Sequence, residues 1–543
     1  MPANLQSEND GGRPKVLVSD KLSQTAISIF RDRGIDVDFR PELGRDKDSL
    51  LQVIGEYDGL AIRSATKVSG KLLEGADRLK VVGRAGIGVD NIDVPAASRK
   101  GVIVMNTPLG NAITTAEHAI AMMMSMARQI PEANASIRAG NWEKSRFVGT
   151  ELFGKTLGVV GCGNIGSAVC RRAIGLEMRV VCYDPFLSEE RATRLGVDKV
   201  DFDELLSRAD IITFHVPLTD RTRRIMDASA FAKTKKGVRI VNCARGGVVD
   251  EAALVDSIRS GHVAGAALDV FESEPPVGNP LLELPEVVVT PHLGASTTEA
   301  QEKVAQQIAE QMSDYLLGGA VNNALNMPSI SAEEAPRLLP WVALADHLGS
   351  FVGQMTDGPI ASVSLLYDGA VANMNVKALN AAALAGILRP SNPDVNMVSA
   401  EMAAKDRGFV MSATTRSQSG IFEAYISLTV VTDAGERSIV GTVFSDGKPR
   451  FIQIKGIYID AEVSRYMLYT TNKDVPGIIG ALGTTLGDDG VNIANFNLGR
   501  SGTGRDAIAL LTLDSPVDRQ MTEKIKGTGF FNRVRPLEFN IEQ

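Results

Sequence analysis

The sequence, 543 residues long, predicts a doubly wound α/β protein followed by two smaller α+β modules. Three observations carry that prediction. Short β-branched runs alternate with helical stretches from about residue 15 to 300, the pattern of parallel strands joined by crossover helices. Several of those runs are apolar throughout, as strands covered on both faces must be. Beyond about residue 326 that rhythm gives way to mixed helices and strands, and residues 466–543 read strand, helix, strand, strand, helix, strand, a ferredoxin-like βαββαβ order.

In chain order the first strands are KVLVS (15–19), GLAI (59–62), KVVG (80–83) and VIVMN (102–106). LGVVG (157–161), RVVCYD (179–184), IITFHV (211–216), VRIVNC (238–243), AALDVF (266–271) and EVVVT (286–290) follow. Thr114-x-x-Glu117 and Ser296-x-x-Glu299 each fit a capping box that opens a helix. The second of these helices carries Val304, Ile308, Met312 and Tyr315 at helical spacing and stops at Gly318-Gly319. Residues 327–460 contain WVALADHLGSFVGQM and VKALNAAALAGIL as helices, EAYISLTVV as a strand, and Asp446-Gly447 as a hairpin turn.

Composition narrows the function. A net charge of −8 argues against a duplex nucleic-acid binder, which needs a basic face. The polar start and the lack of an apolar run of about 18 residues predict neither a secretory leader nor a membrane span. Four cysteines without a CxxC pair predict no metal site and no disulfide scaffold, which suits a reducing cytoplasm.

The chemistry sits where strands end. LGVVGCGNIGSAVCRRAIG supplies Gly161-x-Gly163-x-x-Gly166 between a strand and a helix, and Asp184 closes the next strand. Gly161 permits the tight turn, Gly163 lets a pyrophosphate approach backbone N–H groups, and Gly166 lets helix and strand pack closely. Asp184 accepts ribose hydroxyls and repels a 2′-phosphate, so the expected cofactor is NAD on a Rossmann-type lobe. Strand ends also present His215, Arg245, Asp269 and His292. Only five histidines occur, and His292 stands where VVVTPHLGAST leaves the sheet. An imidazole there can take the hydroxyl proton during alcohol oxidation. Glu274, before Pro275-Pro276, can hold its second ring nitrogen, and Arg245, before two glycines that leave it unobstructed, suits a substrate carboxylate. His215 is expected near the cofactor but outside proton transfer. His118, His262 and His347 are read as structural.

These residues lie in GRAGIGVDNID (83–93), NTPLGNAITTAEHA (106–119), GCGNIG (161–166), HVPLT (215–219), NCARGGVVDE (242–251), ALDVFESEPP (267–276) and TPHLGAST (290–297). Together they resemble the D-isomer-specific 2-hydroxyacid dehydrogenase family over residues 13–325. RSATKVS (63–69) and the two C-terminal modules resemble the long-form D-3-phosphoglycerate dehydrogenase branch, with its intervening domain and ACT regulatory domain. The resemblance implies a discontinuous substrate lobe (13–108 and 300–325), an inserted NAD-binding lobe (109–299), an intervening domain (327–460) and an ACT domain (466–543). It implies NAD-dependent oxidation of 3-phosphoglycerate, the first step of L-serine synthesis, by a cytoplasmic homo-oligomer, a dimer or tetramer.

Carried over residue by residue, the catalytic set is Arg245, Glu274 and His292. Cofactor contacts fall on Gly161, Gly163, Asn164, Ile165, Gly166, Asp184, His215, Val216, Cys243, Ala244, Asp269, Gly294 and Ala295. Substrate contacts fall on Arg63, Ser64, Arg84, Gly86 and Lys144, with Arg146 competing with Lys144 for the phosphate. In the ACT signature NKDVPGIIGALGTTLGDDGVNIANFNLGR (472–500), Asn472, Asp474 and Asn492 are candidate contacts for an L-serine effector. A hydroxypyruvate or glyoxylate reductase on the same core, or an NAD-sensing co-repressor, stands as the alternative.

Overall fold

The computed structural model describes residues 12–541 apart from 109, 357, 418–421, 434 and 503–505. The polar start read above lies, over residues 1–11, outside the described residues. The chain forms two compact units. One ends at Arg84, resumes over Asp90–Asn106 and runs on from Ile308; the other comprises Ala85–Val89 and Thr107–Gln307.

The first unit holds three sheets. The first is parallel, in the spatial order Asp36–Phe39, Lys15–Val18, Gly59–Ile62, Val81–Arg84, Ile103–Met105. Its edge strand, DVDF, was not foreseen, because two of its four residues are acidic and partly solvated. The end of helix Thr298–Gly318 lies on this sheet, with Met312 Sδ so close that a Cβ at Gly83 would stand 2.3 Å from it. The second sheet has six strands, mostly antiparallel, running from Ile360–Gly369 to Ile457–Glu462 in sequence, with Asp446-Gly447 in the turn between Gly435–Val443 and Pro449–Ile454 as expected. Helices Ala335–Met355 and Val376–Leu388 pack on each other through Gly349, Gly353 and Gly386, where any Cβ would meet facing backbone within 2.5 Å.

The third sheet is the βαββαβ module, ordered Ile493–Arg500, Asp506–Leu513, Tyr466–Lys473, Phe531–Glu538 and antiparallel throughout. That is the ferredoxin-like order. Edge-on rings of Phe351, Phe451, Tyr469 and Phe539 join it to the six-stranded sheet.

The second unit carries one parallel sheet of seven strands: Val287–Val289, Val263–Leu268, Val238–Asn242, Ile211–Phe214, Thr156–Val160, Arg179–Tyr183 and Asp198–Lys199. The chain enters at Thr156–Val160, winds outward to Asp198–Lys199, then returns beside its starting strand and winds the other way. Loops therefore part between Thr156–Val160 and Ile211–Phe214, the switch point where ligands bind in such sheets. Apolar side chains cover both faces, Val160, Ile212, Phe214 and Ile240 on one side and Leu157, Val159, Val241 and Ala267 on the other. This explains the unbroken apolar runs.

Both capping boxes need correction. Helix Ala112–Arg128 starts two residues before Thr114, with Asn111 at its cap and no side-chain cap bond. Thr297, not Ser296, caps the helix at Thr298, accepting from Ala300 N at 3.2 Å. Two hydroxyl residues are adjacent there, and only the second has the required position. No described helix is long and apolar enough to cross a membrane.

Candidate active site

Five polar residues at the strand ends of the seven-stranded sheet were singled out, and the structure sorts them by burial. Asp184, His215, Cys243 and Asp269 each come one residue after a strand, while Arg245 and His292 sit three residues beyond. Asp269 is wholly buried, and its oxygens bind the loop that carries His292. Oδ1 accepts from Leu293 N at 2.7 Å and Thr290 Oγ1 at 2.6 Å, and Oδ2 accepts from Gly294 N at 2.8 Å. His118 Nε2 lies 3.2 Å from both Asp269 Oδ1 and Thr290 Oγ1. Burial opposes ionisation of Asp269, yet these partners outweigh it and hold its carboxyl below the usual range. Asp269 thus fixes the backbone of Leu293 and Gly294, directly after His292. His118, read from the sequence as a plain helical residue, supports the same anchor.

His292 has φ of 56°, a left-handed conformation uncommon for non-glycine residues. That turn brings its Nδ1 to 2.8 Å from Glu274 Oε2. Glu274 is itself oriented, because Oε1 accepts from Phe271 N at 3.2 Å. The hydrogen bond to Glu274 raises the His292 pKa above its ordinary value, and burial only partly opposes this. For Glu274 burial pushes upward, but the bond and charge of His292 prevail and hold it low. A carboxylate on Nδ1–H leaves Nε2 as the proton acceptor.

Arg245 is brought to this pair by backbone contact. Gly246 was read as leaving the arginine unobstructed; its reason is tighter than that. A Cβ at Gly246 would lie 1.8 Å from Phe271 O, so only glycine lets the NCARGG loop touch the loop carrying Glu274. Arg245 donates from Nη1 to Ala244 O at 2.7 Å, and Asn242 Nδ2 donates to Arg245 O at 3.0 Å. Its charge opposes protonation of His292. A cavity of about 380 Å³, lined by Phe271, Glu274, Pro276, Leu282, Val289 and His292, opens beside the pair.

The glycine loop meets the steric demands of a dinucleotide. A Cβ at Gly161 would stand 2.6 Å from His215 O, and one at Gly166 would stand 2.0 Å from Gly161 O. Gly163 faces open space at the start of helix Asn164–Gly175, where Asn164 and Ile165 leave their N–H groups without a side-chain cap. Asp184 is held in place by Cys162 N at 2.7 Å and Phe186 N at 2.8 Å. Half-buried His215 keeps Nε2 3.0 Å from Thr213 Oγ1, and its inaccessible Nδ1 finds no protein partner. Burial pushes its pKa down to about 4, so it is a neutral ring beside Val216, suited to a donor or acceptor on a bound ligand. Cys243 and Ala244 are buried just beyond the carboxyl end of strand Val238–Asn242.

The remaining candidates are scattered. Lys144 is exposed, and Arg146 is paired with Glu143 at 2.9 Å. Gly86, with φ of 152°, donates from N to Thr107 Oγ1 at 2.8 Å. In the other unit, Arg63 donates from N to Asp20 Oδ2 at 2.6 Å, Ser64 is exposed, and Arg84 closes its strand part-buried. Buried Asn472 donates to Lys473 O and leaves Oδ1 without a protein partner. Asp474 pairs with Arg500 at 3.4 Å and Asn492 with Asp514 at 2.7 Å, so these bonds do not join the three to one another. Three of the four cysteines, which by spacing predicted no shared site, converge at the glycine loop.

Residues 120–294 match the model of the D-isomer specific 2-hydroxyacid dehydrogenase NAD binding domain. Residues 337–455 match the D-3-phosphoglycerate dehydrogenase intervening domain, and 466–530 match the ACT domain. With the glycine loop and the carboxylate-oriented imidazole, this defines the class: an NAD-dependent oxidoreductase of the 2-hydroxyacid dehydrogenase type. Two curated relatives bear the name D-3-phosphoglycerate dehydrogenase. The one from Bacillus subtilis is 42% identical over 512 residues, covering 94% of this chain and 97% of that protein. The one from Methanocaldococcus jannaschii is 42% identical over 514 residues, covering 94% and 97%. The chain belongs to the D-3-phosphoglycerate dehydrogenase family. Among solved structures, a glyoxylate reductase from Paecilomyes thermophila shares 31% identity with a TM-score of 0.54, over 58% of this chain and 98% of that one. D-lactate dehydrogenase from Escherichia coli shares 29% with a TM-score of 0.51, over 57% and 99%.

Proposed function

We propose that this chain oxidises 3-phospho-D-glycerate at its secondary alcohol to 3-phosphooxypyruvate, opening L-serine synthesis. The 2.8 Å pairing of His292 with Glu274 carries the reading, because it leaves one ring nitrogen as a base. His292 Nε2 takes the hydroxyl proton as the carbonyl forms, and Glu274 stabilises the resulting imidazolium. Arg245 holds the substrate carboxylate with its planar fork. The glycine loop and Asp184 would hold NAD, which would supply the hydride acceptor for this oxidation. Since oxidation releases a proton, the reverse direction is favoured at neutral pH.

Arg63, Ser64, Arg84, Gly86 and Lys144 are candidate contacts for the substrate's phosphate and carboxylate, with Arg146 competing with Lys144 for the phosphate. The division into a substrate lobe (13–108 and 300–325), NAD lobe (109–299), intervening domain (327–460) and ACT domain (466–543) accompanies this reading. Asn472, Asp474 and Asn492 receive L-serine as a feedback effector. The buried unpartnered Oδ1 of Asn472 supports that assignment, as does the uncapped start of helix Ile478–Asp488.

The test is NADH formation with the keto product trapped, comparing 3-phosphoglycerate, unphosphorylated glycerate and 2-hydroxyglutarate. A preference of at least about tenfold for the phosphorylated acid supports the reading, since one charged hydrogen bond is worth about 1.5–3 kcal/mol. Equal rates on glycerate would point to the reductase siblings instead. Millimolar serine should slow the parent, and an unmoved rate would remove the effector assignment alone.

A further inference from the structure

Three cysteines reach one point from three segments of the nucleotide lobe. Cys162 lies in the glycine loop, Cys170 on helix Asn164–Gly175, and Cys182 on strand Arg179–Tyr183. Their sulfurs all lie within 4.8 Å of one another, with Cys170 and Cys182 at 3.5 Å. All three side chains are at most 1% exposed. An ion with metal–sulfur bonds of about 2.3 Å in a trigonal plane sets its sulfurs about 4 Å apart. The closest pair at 3.5 Å and the outer bound of 4.8 Å bracket that spacing.

The surroundings select the kind of ion. The three cysteines share an apolar core with Val159, Ala173, Val180 and Val197, Ser167 Oγ lies 3.7 Å from Cys162 Sγ, and no carboxylate or imidazole joins the group among the described residues. Hard cations need oxygen ligands, and structural zinc needs a fourth ligand. Three thiolates alone suit a soft d10 cation. Anionic sulfur is also supported here. Cys162 immediately precedes Gly163, the cap of a 12-residue helix, and Arg191 Nη2 donates to Cys162 O at 3.3 Å.

We propose that Cys162, Cys170 and Cys182 form a three-coordinate thiolate site for a soft cation of the monovalent copper type. Binding exchanges S–H for S–metal bonds, releases up to three protons to solvent and transfers no electron. Cys162 N donates to Asp184 Oδ2 at 2.7 Å, so an ion that draws in the Cys162 sulfur also moves the loop that holds the cofactor.

The experiment uses the full chain under anaerobic conditions, with monovalent copper presented by a coloured chelator. One ion per chain should leave the chelator, and X-ray absorption at the copper edge should show three sulfur neighbours. Cys162→Ala, Cys170→Ala and Cys182→Ala should each lower copper affinity at least a hundredfold, while Cys243→Ala retains it. Bound copper should change NADH affinity at least threefold in the parent. No uptake against the chelator would overturn the site, as would nitrogen or oxygen neighbours in the spectrum, which needs no variant to fold. Equal affinity in all three variants would do the same, and unchanged NADH affinity would overturn the link to the loop.

Discussion

Replacing Glu274 with glutamine keeps the shape of the side chain and removes one acceptor. In the native site Oε1 accepts from Phe271 N at 3.2 Å while Oε2 faces His292 Nδ1 at 2.8 Å. An amide supplies one oxygen and one NH2, so one of these two places must turn into a donor. If NH2 faces Phe271 N–H, two donors collide and a backbone group is left unmade, costing about 1–3 kcal/mol. If NH2 faces His292, it forces the tautomer that carries hydrogen on Nε2, and the base is lost. Both outcomes remove the carboxylate charge that stabilises the imidazolium, and the second also removes the base, out of a general-base contribution of about 10²–10⁴ in rate. We expect kcat for oxidation to fall about a hundredfold, with KM for the substrate little changed. The pH profile supplies a second readout. Oxidation needs neutral His292, so its rate climbs as pH rises through the raised His292 pKa. Without the carboxylate that pKa drops, and the acid limb must move to lower pH. Stopped-flow NADH formation from pH 5 to 10 measures both. A variant with kcat within threefold of the parent and an unmoved acid limb would refute the assignment.

The same linkage predicts a stability effect. The raised His292 pKa contributes stability below the unfolded value of about 6.5 and loses it as pH rises through the folded value. The lowered Glu274 pKa contributes above the unfolded carboxylate value and is lost as pH falls through the folded one. Parent and Glu274→Gln melting curves should therefore differ most between these limits, and the difference should shrink once pH passes the folded His292 pKa. Arg245→Lys keeps the charge but loses the fork, so KM for the substrate should rise about 10–100-fold at similar fold stability, checked by steady-state kinetics and thermal melting. Asp184→Ala removes the charge that repels a 2′-phosphate, and the preference for NAD over NADP should shrink about tenfold in kcat/KM.

How much of this could be read beforehand divides along physical lines. Parallel strands were legible because each is buried on both faces, so GLAI and IITF are buried at every position and apolar at nearly all. The acidic edge strand Asp36–Phe39 escaped because a half-solvated edge lacks that signature. Asp184, Arg245, Glu274 and His292 stood out because a polar residue just past such a run must surface at the sheet's carboxyl end. What stayed hidden depends on contacts between distant segments. Nothing near His118 announces Asp269, which lies 151 positions away by their numbers. Gly246 looked like a spacer, but the reason for it is Phe271 O on another loop. The spacing of Cys162, Cys170 and Cys182 resembles no ligand motif, because helix and strand geometry rather than a local turn brings the sulfurs together.

The anchoring of His292 shows why a buried residue decides the behaviour of an exposed one. A left-handed backbone at a non-glycine position costs about 1–2 kcal/mol. Left alone, the Thr290–Gly294 loop would relax and swing the imidazole off Glu274, since a half-exposed ion pair of this kind contributes only about 0–1 kcal/mol. The pair is therefore too weak to hold its own geometry. The three hydrogen bonds into the Asp269 carboxylate, each worth about 1.5–3 kcal/mol for a charged acceptor, outweigh the backbone cost. Asp269→Asn tests this directly. An amide can accept at only one of its two ends, so Leu293 N–H with Thr290 Oγ1 or else Gly294 N–H loses its acceptor. Stability should fall about 1–3 kcal/mol in denaturant titration, and kcat should fall at least tenfold although the Glu274 and His292 side chains are untouched. Parent-like kcat in this variant would mean that the ring finds its place without the anchor, and the order of cause argued here would have to be reversed.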